Sequence, residues 1–422
     1  MYRFSASIFA FFATIAGAAA ATFADLDRAV VDGDFDRAGV IARQLDAEDK
    51  NGDFYAVYVT ATRDISEGNC AQATLVLEAL ALVRPGFLPA HQLLYLCDLD
   101  LKREEAAAQR LDAMLAILPP GPQHDAVRTM RRQVALSNGP VFDIYGDIVP
   151  SSNANRQTVA TDLQGLTIPK DNRGTTGINA KVGGTATFGL FTAGNLAASI
   201  VGRAQVDYSS VGNAWGPYFA LEVPVTATVG DIFAGIAPLV GVKFDSQGVY
   251  QFRTGARAFG VAHLSGSSSI AADVLAYVGK HPTQTFLDGT FVEAGLSHTY
   301  MLTPELVLTN RLGTNLDLTD DPKRTRASLE WTSRLDYYSS AGLVLSGSGT
   351  IGGRWHSSPP PLSIGENQSD TFVSARGEVA HQALTLGPFM PALYYQATRQ
   401  FSNNVFYQYE SHDVGVTLRA KL

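Results

Sequence analysis

The sequence predicts an α+β chain of two domains: N-terminal helical repeats, followed by a fourteen-stranded antiparallel transmembrane β-barrel. Three observations predict it. Several pairs of like residues recur 34 apart between residues 22 and 138. Polar and apolar residues alternate through long segments from residue 140 to the last residue. After the N-terminal segment, no apolar run is long enough for a membrane helix, which needs about 20 residues. A chain that meets lipid without such a helix must close as a barrel, because hydrocarbon offers backbone polar groups no partner.

Residues 1–21 read as a signal peptide. Arg3 supplies the positive charge, Ser5 to Ala16 the apolar stretch, and Ala18 to Ala21 the small residues of a cleavage site. No cysteine follows, which argues against a lipoprotein anchor. Composition agrees with a membrane barrel: 17% of residues are charged and 39 are glycine, against about 25% charged in soluble domains. A net charge of −8 argues against nucleic acid as a partner.

Residues 22–138 form the helical domain. Pro85 and Pro119, Ala73 and Ala107, and Leu77 and Leu111 are each 34 apart. A Gly-x-x-x-x-Ala step occurs at Gly33 to Ala38 and again at Gly68 to Ala73. The small residues let paired helices approach, and the prolines end the second helix of a pair. The pattern resembles tetratricopeptide repeats, read here as three repeats to about Leu118 and a capping helix from about Gln123 to Leu136. A single repeat cannot bury its apolar face, so stacking supplies the core and leaves a concave groove. The two cysteines, Cys70 and Cys97, fall at the start of one helix and the end of an antiparallel neighbour. In an oxidising periplasm a Cys70–Cys97 disulfide is expected. Two isolated cysteines lack metal-site spacing, so no metal is expected there.

Residues 140–422 form the barrel. From Ile178 to Leu190, Val182, Ala186 and Phe188 share one parity, and Asn179, Lys181 and Thr185 the other. Phe219 to Val229 and Arg326 to Tyr337 repeat the pattern. Turning Arg326, Glu330 and Arg334 toward lipid would cost about 2–4 kcal/mol for a basic residue near the midplane. The charged parity is therefore expected to line the lumen, with Gln251, Arg253, Arg257, Arg376, Glu378, Arg419 and Lys421 on the same side. Strands are expected to begin near Phe142, Thr176, Leu196, Tyr218, Asp231, Gly248, Ser269, Phe286, Glu305, Arg324, Leu343, Asp370, Met390 and Glu410. Connections after odd strands are expected to be long (151–175, 209–217, 317–323, 357–369, 402–409), and those after even strands short; the one at His263 to Ser268 is an expected exception. An even strand count with short turns on one side places both barrel ends, and the helical domain, in the periplasm of an outer-membrane protein. Tyr300 and Tyr337 fall at strand ends on lipid parity, where an aromatic girdle belongs.

The run Phe142-Asp143-Ile144-Tyr145-Gly146-Asp147-Ile148-Val149-Pro150-Ser151-Ser152-Asn153-Ala154-Asn155 resembles the first barrel strand of the surface lipoprotein assembly modulator (Slam) family. Pro150, Ser152, Asn153 and Asn155 stand at that family's Pro-x-Ser-Asn-x-Asn element. The stretch Asn403 to Glu410 before the last strand is also similar. The last strand, His412 to Leu422, resembles the signal read by the barrel assembly machinery, although it ends in Leu where an aromatic is usual. The resemblance implies an outer-membrane translocator of surface lipoproteins or small secreted proteins. Its helical domain would bind cargo or a periplasmic chaperone, and the barrel assembly machinery would insert it. A plain turn role for the Ser-Asn element stands beside cargo contact, since Asn and Ser bond their own backbone readily. Polysaccharide export and a diffusion porin are the alternative functions. No Gly-x-Ser-x-Gly elbow and no paired-histidine spacing occurs among the eight histidines. No enzyme activity and no cofactor is therefore expected.

Overall fold

The structure is a computed structural model that describes residues 20–49, 52–119, 121–158, 160–163, 166–167, 169, 173–339, 341–359, 366–384 and 389–420. The signal segment expected over 1–21 lies outside the described residues, apart from Ala20 and Ala21, which open the first helix. The chain divides into a helical unit and a barrel unit that part between Asn138 and Gly139.

Among the described residues, seven helices make up the helical unit: α1 (Ala20–Val31), α2 (Phe35–Asp49), α3 (Phe54–Ser66), α4 (Cys70–Val83), α5 (Leu88–Asp100), α6 (Glu104–Ile117) and α7 (Pro122–Asn138). Each helix packs on the next, the arrangement short helix–helix connections favour. Ala38, Ala73 and Ala107 are completely buried, as are Leu77 and Leu111, so equivalent positions in successive pairs carry the same small or large residue. Gly33 and Gly68 end α1 and α3 in the left-handed region, at φ +74° and +85°, which glycine adopts without a Cβ penalty. At the third equivalent position the left-handed residue is Lys102, at φ +58°. Phe87 gathers the aromatic core: its ring lies 5.0 Å from Phe54, 5.3 Å from Tyr58 and 5.7 Å from Phe23, edge-on to each.

Two polar groups inside the helical unit are fixed by specific partners. The Asp46 carboxylate accepts the amides of Tyr55 and Ala56 at 2.8 and 3.0 Å, placing negative charge against the N-terminal turn of α3, where the helix dipole favours it. Asp98 is fully buried and accepts from Arg110 Nε at 3.3 Å.

The barrel wall consists of β1 (Val141–Ser151), β2 (Gly177–Ala193), β3 (Leu196–Ser209), β4 (Ala214–Glu222 continuing as Val225–Val229), β5 (Ile232–Asp245), β6 (Gly248–Ser265), β7 (Ser268–Lys280), β8 (Gly289–Thr303), β9 (Leu306–Thr319), β10 (Arg326–Tyr338), β11 (Leu343–His356), β12 (Ser369–His381), β13 (Phe389–Ser402) and β14 (Tyr409–Ala420). Each pairs with its sequence neighbours, and β14 returns to β1, closing a fourteen-stranded antiparallel barrel. β4 is interrupted because Pro224 has no N–H and faces a region of β5 containing Pro238; its register is the same on both sides of the break.

Every strand shows a large apolar residue to its surroundings, among them Ile148, Val182, Leu196, Leu221, Ile236, Phe252, Val274, Leu296, Leu312, Trp331, Ile351, Val373, Leu393 and Val416. An apolar band on all fourteen strands far exceeds what an aqueous surface carries and is the outer face of a membrane barrel. This chain is an outer-membrane β-barrel protein with an N-terminal helical region. Tyr300 and Tyr337 are exposed on the same face, near strand ends.

Three connections differ from expectation. The segment 209–217 is not a long loop: β4 begins at Ala214, and a single 3-10 turn at Val211–Asn213 suffices. The connection at His263 to Ser268 follows the trend it was expected to break. Alternation continues to Ser265, and Gly266 and Ser267 alone make the turn. β5 and β6 are joined by Ser246 and Gln247 alone, a short turn where a long connection belongs by strand parity. β8 also starts later than Phe286, because Thr285–Leu287 form a 3-10 turn held where the Asp288 carboxylate accepts the His281 amide at 2.6 Å.

Candidate functional site

The barrel's inner wall carries charges of both signs, and the strand register brings them into pairs. Arg334 on β10 donates to Asp336 at 2.9 Å and to Glu378 on β12 at 3.3 Å. Ser346 bonds Asp336 from β11. Arg376 donates to Glu378 at 2.5 Å, and its guanidinium lies 3.5 Å from the centre of the Tyr394 ring on β13. The Tyr394 hydroxyl donates to Asp147 on β1 at 3.1 Å. A continuous polar chain thus runs along the wall from β10 to β1. Arg334 and Arg376 keep part of their surface in contact with solvent, so their ion pairs fix side-chain position more than they stabilise.

A second cluster lies opposite in the strand order. Arg253 on β6 donates to Gln251 at 2.6 Å and stands over the rings of Tyr218 and Tyr277 at 5.4 and 4.9 Å, a cation–π arrangement. Arg203 pairs with Glu222 at 3.6 Å. Arg203, Tyr218, Glu222, Arg253 and Tyr277, with Arg257, Asp273 and Glu293, line a cavity of about 340 Å³. A further cavity of about 520 Å³ is bordered by Asp147, Lys181, Asp207, Trp215, Lys243 and Asp245. The wall is therefore polar and mixed in sign.

Of the residues singled out in the sequence, Arg334, Arg376 and Glu378 meet in the first cluster. Gln251, Arg253 and Arg257 belong to the second. Arg326 pairs with Asp317, and Glu330 sits across from Gly313 of β9. The Arg419 side chain and all of Lys421 lie outside the described residues. Tyr145, Asp147, Gln205, Tyr218, Tyr277 and Tyr394 were missed. Period-two reading assigns a face, and it does not say which tyrosine can reach past its neighbouring strand.

Glycine decides that reach at two places. Tyr394 of β13 crosses β14 to reach Asp147, and it passes over Gly415; a Cβ there would stand 2.5 Å from the ring. Tyr145 of β1 crosses β2 over Gly183, where a Cβ would stand 2.5 Å from its oxygen, and donates to Gln205 of β3 at 2.8 Å. A mid-strand glycine on the strand between a tyrosine and a polar residue is the signal that could have found both.

The Pro150 to Asn155 element bonds to backbone. Ser152 Oγ accepts the His412 amide at 2.8 Å. Asn153, nearly inaccessible, donates to the carbonyls of Gln157 and Glu410 at 2.8 and 3.1 Å. Asn155 donates to the Arg173 carbonyl at 3.0 Å and accepts the Thr175 amide at 2.9 Å. Thr158 donates to the Val405 carbonyl at 2.7 Å. These bonds fasten the connection after β1 to itself and to the start of β14.

In the helical unit Cys70 of α4 and Cys97 of α5 are joined by a disulfide, with Cα atoms 5.2 Å apart. Burial holds the His91 imidazole below its usual pKa and raises the Asp27 carboxyl above its own. Among the described residues no three of His, Cys, Asp and Glu gather closely enough to hold a metal ion.

No protein-family model matches this sequence, and no curated protein matches it. Solved structures with a similar barrel include OmpT of Vibrio cholerae lacking loop L8 (10% identity, 67% of this chain and 99% of that one, TM-score 0.37). They also include OmpF of Salmonella typhi in complex with daunomycin (9%, 67% and 98%, TM-score 0.38). A third is the outer membrane channel DcaP of Acinetobacter baumannii (10%, 68% and 98%, TM-score 0.37). Similarity at this level carries no functional assignment.

Proposed function

We propose that this chain is an outer-membrane translocator that brings surface lipoproteins or small secreted proteins to the cell surface. In this reading the helical unit stands in the periplasm and receives cargo, free or held by a chaperone. The barrel then supplies the way across. The observation that carries the reading is the union in one chain of stacked helices, an architecture suited to holding polypeptide, with a closed membrane barrel. The resemblance of Phe142 to Asn155 to the Slam family's first strand supports it. No nucleotide-binding signature is present in the sequence.

A diffusion porin is the competing reading, and the charged cavities inside the barrel favour it. Deleting Thr22 to Ser137 while keeping the signal separates the two. A translocator so truncated assembles its barrel and displays no cargo. A porin so truncated keeps its solute flux in liposome swelling, and cargo display is indifferent to it. Normal display by the truncated protein would remove the helical unit from the mechanism.

A further inference from the structure

The barrel closes where β1 meets β14, and the ladder there is interrupted. Pairs run through Gly146–Leu418, Asp147–Thr417 and Ile148–Val416, then resume at Ser151–Asp413. By contrast β9 and β10 pair at every residue from Leu306–Tyr337 to Asp317–Arg326. Pro150 supplies the reason. The Ser152 amide donates to the His412 carbonyl, so even-numbered residues of β1 aim their backbone groups at β14. At position 150 that group is a proline nitrogen with no hydrogen. Proline in a sheet belongs to edges; here it sits in a strand paired on both sides, and it weakens the closing side.

Side chains hold what the ladder does not. On the lumenal face the Tyr394 hydroxyl bonds Asp147 across β14, and Thr417 Oγ1 donates to the Gly146 carbonyl at 3.3 Å. At the loop end Ser152 and Asn153 hold His412 and Glu410. Such contacts can be released one at a time, unlike a continuous ladder. We infer that the β1–β14 seam is a latched edge that opens so that β1 pairs with an extended strand of a partner polypeptide. That the strand belongs to cargo rests on the translocator reading. Backbone pairing along a strand edge recognises extended chains with little demand on sequence. The occupant's inward residues would face Asp143 and Asp147, which selects polar or basic side chains there. Its outward residues would lie beside Ile144 and Ile148 at the lipid, which selects apolar ones.

The test uses the full chain in vesicles of phosphatidylethanolamine and phosphatidylglycerol, with a photo-crosslinking residue in place of Ile144. The probe is a synthetic peptide with the sequence Tyr409–Ala420. Asn153→Ala/Tyr394→Phe removes two latches and is expected to raise peptide capture about tenfold, equivalent to about 1.4 kcal/mol; Tyr394→Phe alone raises it less. An oxidised Ile148→Cys/Val416→Cys pair, whose Cα atoms the register sets about 5.5 Å apart and within disulfide range, abolishes capture. The control pair Leu312→Cys/Trp331→Cys across β9–β10 leaves it unchanged. Equal capture by native, unlatched and locked protein overturns the inference, as does capture of a photoreactive phospholipid in place of the peptide. In cells, loss of cargo display with the seam lock and not with the control lock supports the seam as cargo's edge. Normal display by the seam-locked protein overturns that role and leaves the translocator reading standing. Normal display in cells lacking the whole chain refutes the translocator reading, while peptide capture still decides the seam.

Discussion

The helical unit and the barrel sort the same amino acids in opposite directions. In the helices Leu26, Leu77, Leu94 and Leu111 are sealed from any surroundings, while most charges lie outward. In the barrel Leu296, Leu312, Trp331 and Leu393 face outward, and Arg334, Asp336 and Glu378 pair within. One chain thus records two solvents. Where water surrounds the unit, apolar side chains gather inside; where hydrocarbon surrounds it, they gather outside and the interior is wet. Burial alone therefore misjudges the barrel, and the identity of the exposed face decides.

The contrast can be broken unit by unit. The largest effect is expected for Leu77→Ala, which opens a cavity in the helical core at a cost of about 3–5 kcal/mol. It should lower the helical transition seen by circular dichroism and leave the barrel's heat-modifiable migration on gels intact. Next comes Ile351→Arg on the outer band, at about 2–4 kcal/mol near the midplane. Folding titrations into lipid vesicles should register it, whereas Thr350→Arg, one residue along on the inner face, should change little. Equal penalties at 350 and 351 would mean that the faces are misassigned. Reduction of Cys70–Cys97 releases a loop spanning 27 residues and should cost the helical unit about 3.5 kcal/mol by the loop-entropy relation. Two free thiols in denatured, unreduced protein would count against the bridge.

Acidification sharpens the contrast more gently. The imidazole of His91 has its pKa lowered by burial. Below about pH 6.5 the unfolded chain therefore binds more protons at this site than the folded one, and stability falls as pH falls. Replacing His91 with Gln should flatten that dependence in the helical transition between pH 7 and 5. The smallest effect is a gain. Lys102 occupies a left-handed site that glycine fills at positions 33 and 68, so Lys102→Gly should stabilise the helical unit by about 1 kcal/mol. Thermal denaturation of the full chain in detergent checks it.

Much of this architecture was legible beforehand, because period-two alternation is imposed on each strand locally by its two environments. The starts at Leu196, Gly248 and Leu343 coincide with the strands observed. Misreadings arose where a turn's own chemistry overrode alternation, as with the 3-10 turn at Thr285–Leu287 or the tight turn at Gly266. The clasp from Tyr394 to Asp147 was invisible for another reason. It depends on register between segments 247 residues apart, and on an absent side chain at Gly415, neither of which leaves a periodic trace. The Ser-Asn element stood out as a motif, yet its partners Glu410 and His412 could be named only once the ends of the barrel had met.

That meeting has a consequence for how the protein is made. Thirteen of the neighbouring strand pairs join consecutive strands, and each can form as soon as its second member is delivered. The remaining one must wait for Tyr409–Ala420. Contact order is highest at this final step, and the loss of chain entropy on joining distant ends falls there as well. Until then the polypeptide has two raw flanks and an oily exterior, so its biogenesis calls for an escort that shields both ends until the C-terminus arrives.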